Sequence, residues 1–362
     1  MAEPEVSSFD REMMQRCLEL AQRAAGKTSP NPLVGSVIVK DGKIIGEGFH
    51  PGVGQPHAEV FALRDAGEAE GTTVYVNLEP CNHYGKTPPC SDALIKARVA
   101  KVVAGMVDPD PRVAGSGIAK LRDAGIEVVV GVAQTACRRL NEAFVHRILR
   151  QQPFGILKYA MTLDGKIAAT TGHSAWVTGT ASRHLVHQIR STCDAVIIGG
   201  NTVRKDNPNL TTHGVTKHNP LRVVMSRNLD LPRDCNLWNT DVAPTTVFTE
   251  NNTDSAFKKA LTSKGVEIIT LTELTPKTVN EHLYHQGKSK ILWECGGTLA
   301  AKAIADGTIQ KVMAFIAPKI IGGTDAPSPV GDLNLATMTE ALQLKNLEVK
   351  AIANDILIEG YF

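Results

Sequence analysis

Three short segments in the first hundred residues carry the side chains best suited to chemistry. They are His57-Ala58-Glu59, Pro80-Cys81 and Pro88-Pro89-Cys90. One imidazole and two thiolates make three zinc ligands, and three protein ligands with an open fourth position are typical of a catalytic zinc. Glu59 follows the first ligand by two residues, close enough to move protons for a water that zinc activates. Together they predict hydrolytic deamination of a base-like ring.

The spacing of the two cysteines departs from the general deaminase signature. That signature has two residues between its cysteines, whereas eight residues, Asn82 to Pro89, lie between them here. A structural zinc is the first alternative, with His83 as the fourth ligand. Glu59 would then be an ordinary solvated helix residue. We favour the catalytic site because it gives that carboxylate a role.

The elements that must position these ligands can be read from apolar periodicity. A predicted helix begins at His57, a predicted strand ends just before Cys81, and another predicted helix begins just after Cys90. The positive end of a helix stabilises a thiolate at Cys90. The loop after a strand is where α/β proteins tend to bind ligands. All three ligands can therefore meet at one end of a sheet.

Helix and strand signals alternate along the whole chain, which predicts layered α/β domains. In the first half the predicted helices are 9–25, 57–69, 91–98, 118–124 and 137–150, and the predicted strands are 72–78, 101–107 and 127–132, with a hairpin over 36–49. In the second half the predicted strands are 154–161, 195–199, 221–225, 245–249, 266–271, 290–294, 311–317 and 355–361, and the predicted helices are 181–191 and 297–305. The segment Arg150-Gln151-Gln152-Pro153 breaks the last helix of the first half. We therefore predict two domains, 1–150 and 153–362.

Composition and charge are those of a soluble globular protein. The 362 residues are enough for two domains, and 43% of them are hydrophobic and 21% charged. The 39 basic residues balance 37 acidic ones, without the basic excess that nucleic-acid binding usually needs. We expect neither a signal peptide nor a membrane span. The seven scattered cysteines indicate a reducing compartment, so we expect a cytoplasmic protein.

The sequence EPCNHYGKTPPC at 79–90, with His57-Ala58-Glu59, resembles the bifunctional riboflavin-biosynthesis deaminase/reductase family. Three later segments resemble the same family: KYAMTLDGK at 158–166, GNTVRKDNPNL at 200–210 and WECGGT at 293–298. The resemblance implies a cytidine-deaminase-like three-layer domain followed by a dihydrofolate-reductase-like domain. It implies zinc-dependent deamination of a diaminopyrimidinone that carries a ribosylamino 5′-phosphate. It further implies NADPH-dependent reduction of the ribosyl side chain to ribityl.

The resemblance also implies roles for individual residues. It assigns zinc to His57, Cys81 and Cys90, and the proton carrier to Glu59. The deaminase substrate contacts that it implies are Asn31, His50, His83, Lys86 and Asp108. The implied cofactor contacts are Ala160, Trp176, Thr202, Asp206, Ser226, Gly296, Gly297, Thr298, Leu299 and Ala300. The implied reductase substrate contacts are Lys158, Ser174, Arg190, Leu210, His213 and Glu294. Lys86 has a direct rationale, since a phosphorylated substrate needs a cation.

Physical signals in the second half are weaker than those at the zinc ligands. No G-x-G-x-x-G opens a helix after a strand, which excludes a Rossmann interpretation. Gly296-Gly297 is equally consistent with a phosphate-binding turn and with an ordinary tight turn. Lys158 and Glu294 are charged residues on strands predicted to be buried, where charges are functional or else face solvent at an edge. Arg190 could clamp a phosphate with its planar fork, or be an exposed helix residue.

Two residues depart from the family pattern. His213 stands where relatives carry a phosphate-binding Arg, and His is a weaker and pH-dependent phosphate partner. Asp110 stands where relatives often have Asn, which replaces a possible hydrogen-bond donor with a charge. Neither departure removes a catalytic group.

The expected partners are small phosphorylated pyrimidines, with no nucleic acid and no membrane. The resemblance suggests a homo-oligomer. Two other functions stay open from the sequence: a zinc-dependent nucleic-acid base deaminase with an accessory domain, and a non-catalytic scaffold that zinc stabilises. The balanced charge and the long segment between the cysteines argue against nucleic acid.

Overall fold

The computed structural model describes residues 7–84, 88–250 and 255–362. Contacts divide the chain into two compact units, residues 1–151 and 152–362. Gln151 ends the last helix of the first unit in the left-handed conformation, with φ of 54°. No helix among the described residues combines the length and the apolar character that crossing a bilayer requires.

The first unit is built around a five-stranded sheet in the order β2-β1-β3-β4-β5. Its helices are α1 (Ser8–Gln22), α2 (Ala58–Ala66), α3 (Cys90–Lys96), α4 (Ser116–Asp123), α5 (Gln134–Leu140) and α6 (Glu142–Arg150). Its strands are β1 (Gly35–Lys40), β2 (Lys43–Phe49), β3 (Thr73–Val76), β4 (Lys101–Ala104) and β5 (Glu127–Val130). Strand β1 is antiparallel to both of its neighbours, and β3, β4 and β5 are parallel. The carboxyl ends of the parallel strands therefore lie at one edge.

Alternate residues of the strands fill two cores, one on each face of this sheet. Val37 and Val39 of β1 pack in one core with Met14 of α1. Ile38 between them packs in the other core with Leu94 of α3. Because strand side chains alternate between faces, this division produces helix, sheet and helix layers. The predicted layered α/β fold of this unit is confirmed.

One helix prediction in the first unit was wrong. The region 137–150 is not one helix but the end of α5 followed by α6, and Asn141 lies between them. The Asn141 side chain binds the main chain of Leu33 twice: Oδ1 accepts from the Leu33 amide at 2.8 Å and Nδ2 donates to its carbonyl at 2.9 Å. This side-chain bonding competes with helix continuation. Its partner is more than a hundred residues away, so local periodicity could not reveal it.

The second unit is built around a nine-stranded sheet in the order β10-β9-β8-β7-β11-β6-β12-β14-β13. Its strands are β6 (Phe154–Thr162), β7 (Ala195–Gly199), β8 (Leu221–Met225), β9 (Thr245–Glu250), β10 (Glu267–Leu271), β11 (Lys290–Trp293), β12 (Lys311–Ala317), β13 (Lys345–Ile352) and β14 (Asp355–Tyr361). Its helices are α7 (Thr180–Ser191), α8 (Gly200–Asp206), α9 (Ser255–Ser263), α10 (Pro276–His285) and α11 (Gly297–Ala305), with short 3-10 turns at Asn236–Trp238 and Met338–Glu340. Along the sheet from β10 to β12, every strand is parallel to its neighbours. The pairs β12–β14 and β14–β13 are antiparallel.

Four elements of the second unit were missed from the sequence: α8, α9, α10 and β13. Helix α10 carried a readable start signal, since Thr275 forms a capping box with Thr278 and Pro276 occupies the first turn. Strand β13 is exposed at most of its positions. Its sequence nevertheless carried a strand signal, because Leu347, Val349 and Ala351 alternate with Glu348 and Lys350.

Candidate active sites

Helix α2 carries His57 as its N-cap residue and Glu59 in its first turn. The helix lies directly on β2. A Cβ atom at Gly46 would be 2.4 Å from the Ala62 carbonyl oxygen, and one at Gly48 would be 2.4 Å from the Ala58 carbonyl oxygen. No side chain fits at either position, so the two glycines are required for this approach. The packing fixes the start of α2 against the sheet.

The three predicted zinc ligands lie together in the structure. Nδ1 of His57 is 3.2 Å from Sγ of Cys90 and 3.3 Å from Sγ of Cys81, and all three ligand atoms lie within 4.8 Å of one another. Hydrogen bonding by the Cys90 thiol, and then by His57, holds the pKa of Cys81 well below its ordinary value. One imidazole and two sulfurs at these separations fit zinc. Among the described residues, the cluster consists of these three ligands and does not include His83.

Glu59 is buried beside these ligands rather than solvated on a helix face. Its side chain is 3% exposed, and Oε2 has no hydrogen-bond partner among the described residues. Burial raises the pKa of Glu59 to about 7. A buried carboxyl oxygen without a partner is costly, and it is explained if a water or substrate group normally lies against it. The donor set and this oxygen together fit a hydrolytic zinc site.

A cavity of about 250 Å³ lies against the cluster. Its lining includes the predicted substrate contacts Asn31, His50, His83 and Asp108, together with His57, Glu59 and Cys81. Nδ1 of His50 lies 3.1 Å from the Pro56 carbonyl oxygen, and Nδ2 of Asn31 lies 3.2 Å from Nε2 of His50. A donor at Nδ1 and an acceptor at Nε2 satisfy both contacts, and they orient the ring. The fifth predicted contact, Lys86, lies outside the described residues.

The negative charge of Asp110, one of the two departures from the family pattern, is compensated locally. The guanidinium of Arg112 donates to both of its carboxylate oxygens, with Nε at 2.9 Å from Oδ1 and 3.1 Å from Oδ2. This hydrogen bonding lowers the pKa of Asp110 to about 2. The Asp110 amide in turn donates to Oδ1 of Asp108 at 2.8 Å. A second negative charge is therefore accommodated next to the predicted substrate contact.

Two adjoining cavities in the second unit hold most of the predicted reductase residues. The larger, of about 590 Å³, is lined by Ser226, Gly296, Gly297, Thr298 and Leu299 among others. The smaller, of about 340 Å³, is lined by Lys158, Ala160, Trp176, Arg190, Leu210 and Glu294 among others. Both are lined by Ile167, Ser174, Thr202, Asp206 and Gly296. Because the two cavities share these residues, a group bound in one can reach a group bound in the other.

The larger cavity offers features that fit a phosphorylated dinucleotide. Gly296 is the N-cap residue of α11, and a Cβ atom placed on it would meet nothing within 4 Å. The start of a helix presents free amides to an anion. Arg204, Lys205, Arg227 and Lys302 add positive charge to the lining. Open space at Gly296 and cations around it fit NADPH, whose phosphates need both.

The smaller cavity contains a network of three charged side chains. Arg190 donates to Glu294 through Nε at 2.6 Å and Nη2 at 2.9 Å, and through Nη1 to the Thr211 carbonyl at 3.0 Å. Nζ of Lys158 is 4.0 Å from Glu294. Burial lowers the pKa of Lys158. Burial alone would raise the pKa of Glu294, but the charge and hydrogen bonds of Arg190 hold it below its ordinary value. The Arg190 fork is therefore oriented by Glu294 rather than exposed.

Two predicted reductase residues lie away from these cavities. Ala300 is fully buried in the core of the second unit. His213 lines neither cavity and stacks on His187 instead, with ring centroids 4.1 Å apart and planes 19° apart. Burial lowers the pKa of His213, which makes it a weaker partner for a phosphate at neutral pH.

Several residues that line the sites were not predicted from the sequence. Phe144 and Ile148 form part of the deaminase cavity, and their spacing of four residues places them on one face of α6. Glu79, in the quoted Glu-Pro-Cys segment, was given no role and also lines this cavity. In the second unit Arg227 lines the larger cavity. Arg227 could have been found from the sequence, because it is a basic residue directly after the predicted contact Ser226, just beyond the end of β8.

Comparisons with known proteins bear on both units. The family model of the RibD C-terminal domain matches residues 153–358, and that of the cytidine and deoxycytidylate deaminase zinc-binding region matches residues 7–106. The riboflavin biosynthesis protein RibD of Synechocystis sp. is 61% identical to this chain, and the match covers 97% of this chain and 96% of that protein. These matches confirm the expected order of a cytidine-deaminase-like fold followed by a reductase fold.

Two solved structures are similar over nearly the whole chain. RibD from Acinetobacter baumannii is 39% identical, with a TM-score of 0.87 and coverage of 98% of both chains. A diaminohydroxyphosphoribosylaminopyrimidine deaminase/5-amino-6-(5-phosphoribosylamino)uracil reductase from Thermotoga maritima is 35% identical, with a TM-score of 0.87 and the same coverage. The similarity therefore includes both units in the same order.

Proposed function

This chain belongs to the RibD family of riboflavin biosynthesis proteins, and we propose that each of its two units carries one of the two reactions. The chain is a bifunctional enzyme, a zinc-dependent deaminase and an NADPH-dependent reductase. We assign deamination of the diaminopyrimidinone to the domain 1–150 and reduction of its ribosyl side chain to the domain 153–362. The observation that carries the assignment is the cluster of His57, Cys81 and Cys90 beside the buried Glu59.

In the deaminase site the protein holds the ring and moves the protons. Zinc bound by His57, Cys81 and Cys90 would lower the pKa of a water molecule and so supply the nucleophile. Oε2 of Glu59 takes a proton from the water as its oxygen adds to the ring carbon, and passes this proton to the adjacent ring nitrogen. The second proton moves from the added oxygen through Glu59 to the amino group. The carbon–nitrogen bond then breaks, ammonia leaves and a ring carbonyl remains. The raised pKa of Glu59 suits a group that must both accept and donate near neutral pH.

In the reductase site the protein brings the ribosyl chain to the cofactor. NADPH bound in the larger cavity would supply the hydride. Ser174, Thr202 and Asp206 line both cavities, so they lie where the two ligands meet. Arg190 and Lys158 present positive charge to the smaller cavity, which suits a phosphorylated substrate. Glu294 holds the guanidinium of Arg190 in place.

Gly296 provides a test of the cofactor site. Because a Cβ atom there meets nothing within 4 Å, Gly296→Val should keep the fold and cost only about 1 kcal/mol in the free energy of unfolding, since valine is a poorer N-cap residue than glycine. The added side chain would occupy space that the cofactor needs, and we expect NADPH to bind at least about tenfold more weakly. Isothermal titration with NADPH measures this directly. Ala305→Val, exposed at the far end of α11 and outside the lining of both cavities, is the control for an added side chain; normal NADPH binding by Gly296→Val would exclude this placement.

The product formed from the diaminopyrimidinone tests the whole assignment. Without NADPH we expect the deaminated aminouracil with its ribosyl chain intact, and with NADPH the ribityl product. A zinc chelator should abolish ammonia release, while NADPH oxidation continues when the aminouracil is supplied. Mass spectrometry of the products distinguishes these cases. Ammonia release that survives zinc removal would contradict the deaminase assignment, and a chain that never oxidises NADPH would contradict the reductase assignment.

The substrates are small phosphorylated pyrimidines, and for the remaining partners we keep the expectations from the sequence. We propose a cytoplasmic homo-oligomer that binds neither nucleic acid nor membranes. The balanced charge argues against nucleic-acid binding, and the seven cysteines, which form no disulfide, suit a reducing compartment. Tight, salt-sensitive retention of RNA on a filter would instead favour the nucleic-acid deaminase.

A further inference from the structure

Glu79 is a buried carboxylate between β3 and Cys81, and its side chain belongs to neither the metal ligands nor the proton carrier. It is 4% exposed. Its two oxygens accept hydrogen bonds from four main-chain amides, those of Asp108 at 3.1 Å and Gly115 at 2.9 Å on Oε2, and those of Gly117 at 3.0 Å and Ile118 at 3.3 Å on Oε1. The Glu79 amide itself donates to the Met106 carbonyl at 2.9 Å.

These four amides belong to one continuous segment, residues 108–118. Gly117 and Ile118 lie in the first turn of α4, where amides have no partner within the helix and a negative charge is favoured. Asp108 and Gly115 lie at the two ends of the loop that precedes α4. One carboxylate therefore holds both ends of this loop, and amide bonds to a charged acceptor are stronger than neutral ones.

A second contact joins the same segment to the cysteine loop. A Cβ atom at Gly117 would lie 2.0 Å from the Pro80 carbonyl oxygen. The first turn of α4 therefore contacts the main chain between Glu79 and Cys81 at a distance that only glycine permits. This contact does not depend on the Glu79 carboxylate, and it places 108–118 against the zinc-ligand loop independently.

The held segment contributes to the wall of the deaminase cavity. Asp108, Asp110 and Val113 all line it. The Asp110 amide donates to Oδ1 of Asp108, so the carboxylate of Asp108 is oriented by its own loop. A displacement of that loop would move Asp108 relative to Cys81 without changing any metal ligand.

We infer that Glu79 is a positioning residue of the deaminase site, whose carboxylate sets the position of Asp108 relative to the zinc ligands. The inference rests on the proposed function, in which Asp108 contacts the pyrimidine substrate. It deepens that function, since it links the Glu-Pro-Cys segment to substrate binding rather than to metal binding alone.

Glu79→Gln tests the inference, because glutamine keeps the size but replaces one acceptor oxygen with an amino group that faces amide donors. We expect the KM for the diaminopyrimidinone to rise about 10- to 100-fold, because a displacement of Asp108 by about 1 Å would weaken its contact with the substrate by that order. Zinc content and NADPH oxidation with supplied aminouracil should stay at the level of the unchanged chain. A role in folding alone would reduce the yield of zinc-loaded protein and leave KM unchanged, and that result would overturn the inference.

A double-mutant cycle with Asp108→Asn separates this inference from the proposed function. If Glu79 acts through Asp108, Glu79→Gln should add little to KM once Asp108 is replaced. Additive effects would overturn the inference alone, whereas an unchanged KM in Asp108→Asn would remove the substrate contact and the inference with it. If Glu79→Gln does not fold, Glu79→Asp takes its place in the same cycle, because it retains the charge with a shorter reach.

Discussion

The Glu59→Gln variant is expected to bind zinc normally and to release ammonia from the diaminopyrimidinone about 10²- to 10⁴-fold more slowly than the unchanged chain. Glutamine fills the same buried space, so the three ligands next to it should keep their positions. It cannot take a proton from water and return it to the leaving amino group. Metal analysis and an ammonia-release assay on the same preparation measure the two expectations together.

Glu68→Gln is the matched control for this variant. Glu68 lies exposed just after α2, so its replacement makes the same chemical change away from the cavity. Its ammonia release should equal that of the unchanged chain. If Glu59→Gln lost its zinc, the residue would have a structural part in the metal site. If it kept full turnover, Glu59 would not be the proton carrier of the deamination.

The second large effect is expected in the reductase unit. Glu294→Gln removes the charge that compensates Arg190 and Lys158 within the smaller cavity, where the exposed fractions of the Glu294 and Arg190 side chains are 10% and 12%. Leaving buried charge unpaired typically costs about 3 kcal/mol or more in the free energy of unfolding. For a unit of this size that lowers the melting temperature by roughly 10 °C. We also expect kcat/KM for NADPH oxidation to fall by about 100-fold, because the Arg190 fork loses its orientation.

The pH dependence and a control variant complete this test. Since the folded pKa of Glu294 lies below its ordinary value, its stabilisation is present above the ordinary pKa of about 4.3 and is lost as the pH falls through the folded pKa. The difference in stability between Glu294→Gln and the unchanged chain should therefore shrink below about pH 4. Glu281→Gln, exposed on α10, should change neither melting nor activity. A Glu294→Gln chain with normal melting and normal NADPH oxidation would contradict this reading of the network.

The metal site could be anticipated from the sequence because its information is local. His57 and Cys90 stand at helix starts and Cys81 follows a strand, so residue type and element boundaries together bring them to one end of a sheet. Glu59 followed from its spacing to His57. The deaminase contacts Asn31, His50, His83 and Asp108 came from family resemblance, and the structure brings them around one cavity.

What could not be predicted depends on partners distant in sequence. Asn141 interrupts a helix because of its bonds to Leu33, and Glu79 acquires its surroundings from a segment some thirty residues later. The stacking of His213 on His187 likewise arises only when α7 meets a loop that follows α8. Residue types and periodicity do not encode such pairings, because each partner alone has an ordinary local pattern.

The most direct test of two reactions at two sites is NADPH oxidation by the Glu59→Gln chain. Supplied with the deaminated aminouracil, this variant should oxidise NADPH at the rate of the unchanged chain. Supplied with the diaminopyrimidinone, it should oxidise almost none, because the first reaction no longer provides the substrate of the second. NADPH oxidation from the diaminopyrimidinone at the rate of the unchanged chain would contradict the proposed order. Loss of oxidation with the aminouracil would contradict the independence of the two sites.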